Sequence, residues 1–199
     1  MGITQKIFGW FNNQTIVNNN LVVNEQYLSM LLSLPNNPSD INQIVLSLYN
    51  SIAEDTTVNN KRSVPPEIEE KINYNNVLVY KPLIESNFSE NGFFLDEAYN
   101  ALDYETPGRR KLFLSYINTQ YLIVLGQIMN EKGIKEKMLA IESNADTIIT
   151  KIIDILLIRI SKNSSLIEHL SQESITNCVL SIVCHAFVDC KVLENPNSQ

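Results

Sequence analysis

Glycine is scarce in this chain, with six in 199 residues. Loops that cradle phosphates need several glycines at fixed spacing, so the nucleotide-binding folds built on them are excluded. No G-x-x-x-x-G-K-[ST], G-x-G-x-x-G, H-E-x-x-H or G-x-S-x-G pattern occurs anywhere. Histidine is scarcer still: His169 and His185 are the only two. The cysteines number three, Cys178, Cys184 and Cys190, all near the C-terminus. An odd, crowded set is not a disulfide framework, and a reducing cytoplasm is the expected compartment. Positive charge is in deficit, 15 Lys and Arg against 22 Asp and Glu, for a net charge of −7. An acidic surface disfavours bulk affinity for nucleic acid or anionic lipid. The stretch Ile148 to Ile160 is the most apolar, but Lys151, Asp154 and Arg159 interrupt it. A bilayer span takes about 20 apolar residues, so no membrane span is expected there. The opening MGITQKIFGWFNN has no apolar run of secretory type and no myristoylation pattern.

Hydrophobic residues make up 44% of the chain, rich in Ile, Leu and Val, enough for a core without metals or disulfides. Their spacing predicts an all-α fold, a multi-helix globular bundle preceded by a short Asn-rich arm. Three zones follow. Residues 1–24 are nearly uncharged. Gln14 to Val17 and Leu21 to Val23 flank Asn18-Asn19-Asn20, which fits a small β-hairpin and equally a loosely ordered tail. Ile7, Phe8, Trp10 and Phe11 are too apolar for a free tail, so this zone is expected to be an interaction arm with Phe8, Trp10 and Phe11 as anchors.

Residues 25–60 read as a two-helix lead-in. The first helix covers Glu25 to Leu34. The second is capped by Ser39 or Asp40 and carries Ile41, Ile44, Val45, Leu48 and Ile52 on one face. A polar loop, Thr56 to Asn60, follows. Residues 61–199 form the helical body. A short helix from Glu67 to Tyr74 is expected to pair Glu67 with Lys71 and to bury Ile68 and Ile72. Further helices are predicted at Val77–Phe88, begun or bent at Pro82, and at Phe93–Leu102. The clearest signals are Thr106–Met129, with Thr106 as cap and Pro107 at the first position, and Ala145–Ser161, capped by Asn144. The apolar residues of Ala145–Ser161 wrap most of its circumference, which makes it a central, buried helix packed on Thr106–Met129. The last helix is predicted over Glu173–Lys191.

No catalytic residue emerges. On one helix, cysteines six apart stand about 120° apart, which denies them a common metal face. Cys178 and His185 share a face, but two ligands make no zinc site. No metal, cofactor or enzyme activity is therefore expected. His185 is expected to pack with a hydrogen bond, and Phe88, Phe93, Phe94, Tyr99 and Tyr104 to sit in the core. One feature runs against local electrostatics. Arg109, Arg110 and Lys111 fall in the first turn of the clearest helix, where cations oppose the macrodipole. They are either neutralised by Asp103 and Glu105 just upstream or available to an acidic partner or a phosphate backbone.

Two segments carry a resemblance. They are Lys61-Arg62-Ser63-Val64-Pro65-Pro66-Glu67-Ile68-Glu69-Glu70-Lys71-Ile72-Asn73-Tyr74-Asn75 and Ala186-Phe187-Val188-Asp189-Cys190-Lys191-Val192-Leu193-Glu194-Asn195-Pro196. Together they resemble the helical C-terminal modules of components of prokaryotic ABC-type three-component antiviral defence systems, over about residues 61–196. Those modules usually follow a separate effector domain, whereas here some 60 residues precede the body without a nuclease or protease signature. The resemblance implies a non-catalytic assembly subunit whose partners are the ATPase or effector subunit; the strand-like runs of the arm also suit pairing with a second copy. The alternative class is a nucleic-acid-binding regulator acting through Arg109, Arg110 and Lys111.

Overall fold

The computed structural model describes residues 37–52, 66–163 and 168–197. These contain eight helices and no strand: α1 (Pro38–Ile52), α2 (Ile68–Tyr74), α3 (Lys81–Glu90), α4 (Gly92–Glu105), α5 (Arg109–Lys132), α6 (Lys137–Glu142), α7 (Ala145–Ile160) and α8 (Gln172–Val188). The all-α reading holds for them. The arm with Phe8, Trp10 and Phe11, the helix at Glu25–Leu34, the loop Thr56–Asn60, the stretch 61–65 and the Phe88 side chain lie outside the described residues.

The core is organised around α7 and α8. Helix α7 packs on α5, α8, α1 and α6, and α8 on α3, α7, α1 and α4. Apolar residues surround α7, and Ile148, Ile149, Ile152, Ile153, Leu156, Leu157 and Ile160 are all buried. Helices α5 and α7 run antiparallel. The Arg159 guanidinium lies 4.8 Å from the Tyr116 ring centre at one end, and Lys151 meets Glu131 at 3.9 Å at the other. The predicted face of α1 is the buried one: Ile41, Ile44, Val45, Leu48 and Ile52 join the same core. Its cap is Asn37, whose Oδ1 accepts from the Ser39 N–H at 3.0 Å, in place of Ser39 or Asp40.

Several boundaries differ from the sequence reading, each for a local reason. The helix expected from Thr106 begins at Arg109, because Thr106 closes α4 in an extended conformation and Gly108 sits at φ 95°. That left-handed region is cheap only for glycine, and it separates the two helices. The Asp103 carboxylate accepts the Arg110 N–H at 2.8 Å, doing the work of a cap. Gly133, at φ 64°, ends α5 three residues later than expected. The short α6 was not predicted; Glu136 caps it through the Leu139 N–H at 3.0 Å. Asn144 stands at the start of α7 without a side-chain cap bond, since its Nδ2 donates to Ala140 and its Oδ1 accepts from Lys132. Asp146, in the first turn of α7, holds the backbone N–H groups of Leu78, Val79 and Tyr80, each at 3.1 Å. That anchorage delays α3 to Lys81, with Pro82 in its first turn. Of the expected core aromatics, Tyr99 is buried and Phe94 partly so, but Phe93 is 68% and Tyr104 92% exposed. Both fall on the outward side of α4, a choice that tertiary packing makes and periodicity over one short helix does not.

One core helix carries a misfit charge. Asp154 on α7 is half-buried, and burial pushes its carboxyl up to about 6. Its pKa in the folded chain lies above the unfolded value, so its contribution favours folding at low pH and is lost as pH rises through 6. At pH 7.5 the ionised group costs stability, and about 1–2 kcal/mol remains after allowance for solvent screening. Asp154→Asn is therefore expected to stabilise the chain at pH 7.5, with the gain shrinking as pH falls toward 4. Urea unfolding at the two pH values checks this; equal stability of the two chains at pH 7.5 contradicts it.

Candidate functional site

The described parts of the two segments that carry the resemblance meet in space. Helix α2 lies against the turn that follows α8. Lys71, expected to pair with Glu67, instead turns inward and is 1% exposed. Its ammonium donates to the Phe187 carbonyl and, at 3.0 Å, to the Val192 carbonyl, and it lies 4.3 Å from the Phe187 ring centre. Burial lowers its pKa to about 8, against the opposing pull of Cys190, Glu194 and Asp189. Asn75, fully buried, donates to the Lys71 and Glu194 carbonyls at 2.8 and 2.9 Å and accepts the Glu194 N–H at 2.9 Å.

Helix α5 holds the other side of this clasp. Asn118 donates to the Lys191 carbonyl at 2.9 Å, and the Tyr121 hydroxyl to the Glu194 carboxylate at 2.7 Å. Lys137 pairs with the same carboxylate at 2.6 Å. Burial pushes the Glu194 carboxyl up, but the hydrogen bonds from Lys137 and Tyr121 outweigh it and hold the group below its ordinary value. These contacts explain why α8 stops at Val188 and not at Lys191. Past the helix end, the Lys191 and Val192 N–H groups return to the Ala186 carbonyl, and Cys190 and Leu193 adopt φ of 56° and 59°. Cys190 is consequently off the helix, so the expected stagger of three cysteines on one helix applies only to Cys178 and Cys184. Both are buried, with thiols pushed up to about 12.

The basic cluster at the start of α5 is largely engaged by the chain itself. Arg109 pairs with Glu105 and lies 5.2 Å from the Tyr49 ring centre. Arg110 pairs with Asp96 at 2.9 Å and Asp189 at 3.5 Å, over the Tyr99 ring. Lys111 is exposed. These pairs answer the macrodipole conflict, since each arginine brings its own carboxylate. His185 stands edge-on to Tyr99 with ring centres 5.3 Å apart. The hydrogen bond expected of it is not made by Nδ1, whose nearest charged neighbour, the Asp189 carboxylate, stands 3.9 Å away, while Nε2 lies 3.7 Å from Asp96. Burial lowers the His185 pKa, against the pull of Asp189 and Asp96. Among the described residues, no three His, Cys, Asp or Glu side chains gather as metal ligands.

A second surface lies further along α5, beginning at Thr119, whose hydroxyl donates to the Ser115 carbonyl at 3.0 Å. Along α5, Thr119, Leu122, Ile123, Gly126, Gln127 and Asn130 face outward, and none is charged. Leu122 is 45% and Ile123 47% exposed. Space around Gly126 is open where a Cβ would stand. By length and composition α5 alone among the described helices could cross a membrane, although half of its most apolar window is buried inside the fold. No family model matches the chain, and neither does any curated protein or solved structure.

Proposed function

We propose that this chain is a non-catalytic assembly subunit of a prokaryotic, multi-component anti-phage defence complex, acting in the cytoplasm and not spanning the membrane. Its partners are the ATPase or effector subunit of the same system, and a second copy of itself. The observation that carries this reading is the uncharged outer stretch of α5 from Thr119 to Asn130, three turns long between Lys111 and Glu131, on a chain of net charge −7. Exposed Leu and Ile on such a strip favour burial against a protein surface. The segments resembling defence modules support the choice of system. The alternative, a nucleic-acid-binding regulator, is disfavoured because Arg109 and Arg110 are neutralised by Glu105, Asp96 and Asp189. Phosphate binding needs several uncommitted cations.

Mixing the full chain with the ATPase and effector subunits of such a system, followed by sizing with light scattering, tests the reading. Co-elution with at least one subunit is expected. A chain that elutes alone and instead binds duplex DNA with steep loss on adding salt overturns it in favour of the regulator.

A further inference from the structure

Cys190 is the only cysteine of the three that is not fully buried. It sits in the left-handed turn after α8, and its backbone N–H donates to the Phe187 carbonyl at 3.1 Å. The Lys71 ammonium donates to that same carbonyl and to the carbonyl of Val192, two residues beyond the cysteine. The amine is thus gripped from both sides of Cys190, whose thiol donates to the Val188 carbonyl at 3.6 Å in the same turn and raises the lysine pKa against the effect of burial. We propose that Lys71 and Cys190 are a modification site, joined by a covalent S–N bond when the chain meets a peroxide. Peroxide transfers one oxygen to the Cys190 sulfur, giving a sulfenic acid and releasing water. The Lys71 nitrogen lone pair then attacks the sulfur, the S–O bond breaks, and hydroxide leaves with a proton from the amine as a second water. One thiol, one amine and one peroxide become a sulfenamide and two waters, with the sulfur oxidised and the peroxide reduced by two electrons.

Two further observations fit this chemistry. The attack needs an uncharged amine, and burial brings the Lys71 ammonium down to about 8, so a usable fraction is neutral near physiological pH. Cys178 and Cys184 compete poorly, because burial holds both thiols protonated. The link fastens α2 to the turn after α8 and makes the clasp sensitive to oxidant.

The test treats the full chain with hydrogen peroxide and maps tryptic peptides by mass. The expected product joins the peptides of Lys71 and Cys190, is about 2 Da lighter than their sum, escapes cleavage at Lys71 and is undone by dithiothreitol. Its yield should rise between about pH 7 and pH 9. Cys190→Ser should abolish it while leaving the melting temperature unchanged, and Lys71→Arg should abolish it as well. If Lys71→Arg fails to fold, the peptide map of the unmodified sequence decides alone. Cys190 found as sulfinic or sulfonic acid with Lys71 still cleaved by trypsin overturns the proposal, as does a link made to Lys191 instead.

Discussion

Leu156→Asp is expected to remove several kcal/mol of stability, a large part of the 5–15 kcal/mol that a domain of this kind has in total. Leu156 is completely buried on α7, the helix that α5, α8, α1 and α6 all contact. A carboxylate there loses its water inside the buried apolar core. Protonation relieves the charge but leaves a polar group in an apolar site, and the missing methyl groups leave a void. Ile158, two residues further on, is 37% exposed. Ile158→Asp should cost much less than Leu156→Asp, because the new carboxylate keeps part of its water, with Asp154 one turn away adding a small repulsion. Thermal unfolding of the two variants checks the contrast. A melting temperature unchanged by Leu156→Asp contradicts the central position of α7.

Asn75→Ala is expected to cost about 2–4 kcal/mol, the second-largest single effect. The Asn75 side chain joins α2 to the backbone N–H and carbonyl of Glu194, across 119 positions of sequence, with no exposure to solvent. Its loss leaves both Glu194 backbone groups without that partner, beside a cavity too small for easy repair. Its neighbour Asn76 bonds the Glu142 carbonyl in an exposed setting, where water replaces the lost partner. Asn76→Ala should therefore cost less than Asn75→Ala. Urea unfolding of the pair decides; equal costs would mean that the clasp does not hold the C-terminal turn.

The helical periodicity of α1 and α7 was legible because each buries a face, or a whole circumference, of Ile and Leu, and burial leaves its imprint on spacing. What escaped was set by contacts distant in sequence. Glu67 and Lys71 have the spacing of a surface pair. Nothing nearby in sequence reveals that the lysine is drawn instead to carbonyls at 187 and 192. The end of α8 eludes spacing for the same reason: Val192 and Leu193 continue an apolar pattern, but they are buried within a turn that α2 and α5 pin down. Thr106-Pro107 reads as a helix start by local rules, and Gly108 overrides it through a backbone conformation that composition alone does not reveal. The basic cluster was visible, and so were Asp103 and Glu105 upstream. The contributions of Asp96 and Asp189 needed the fold, since α4 and the end of α8 bring them to Arg110. The outer face of α5 is masked by composition, because Leu122 and Ile123 are as apolar as the core residues beside them in sequence. Helical phase sets them opposite the buried side, and their exposure confirms it.

The most direct test of the assembly reading introduces Leu122→Asp and Ile123→Asp together into the full chain. Both side chains are about half exposed, so the fold tolerates the change and the melting temperature should stay within a few degrees of the unaltered chain. Two carboxylates in the centre of a charge-free strip place unpaired charges in any interface that buries it. Sizing with light scattering, in the presence of the ATPase and effector subunits, should then find the variant eluting alone where the unaltered chain co-elutes. A doubly substituted chain that keeps its fold and still joins the complex contradicts the account.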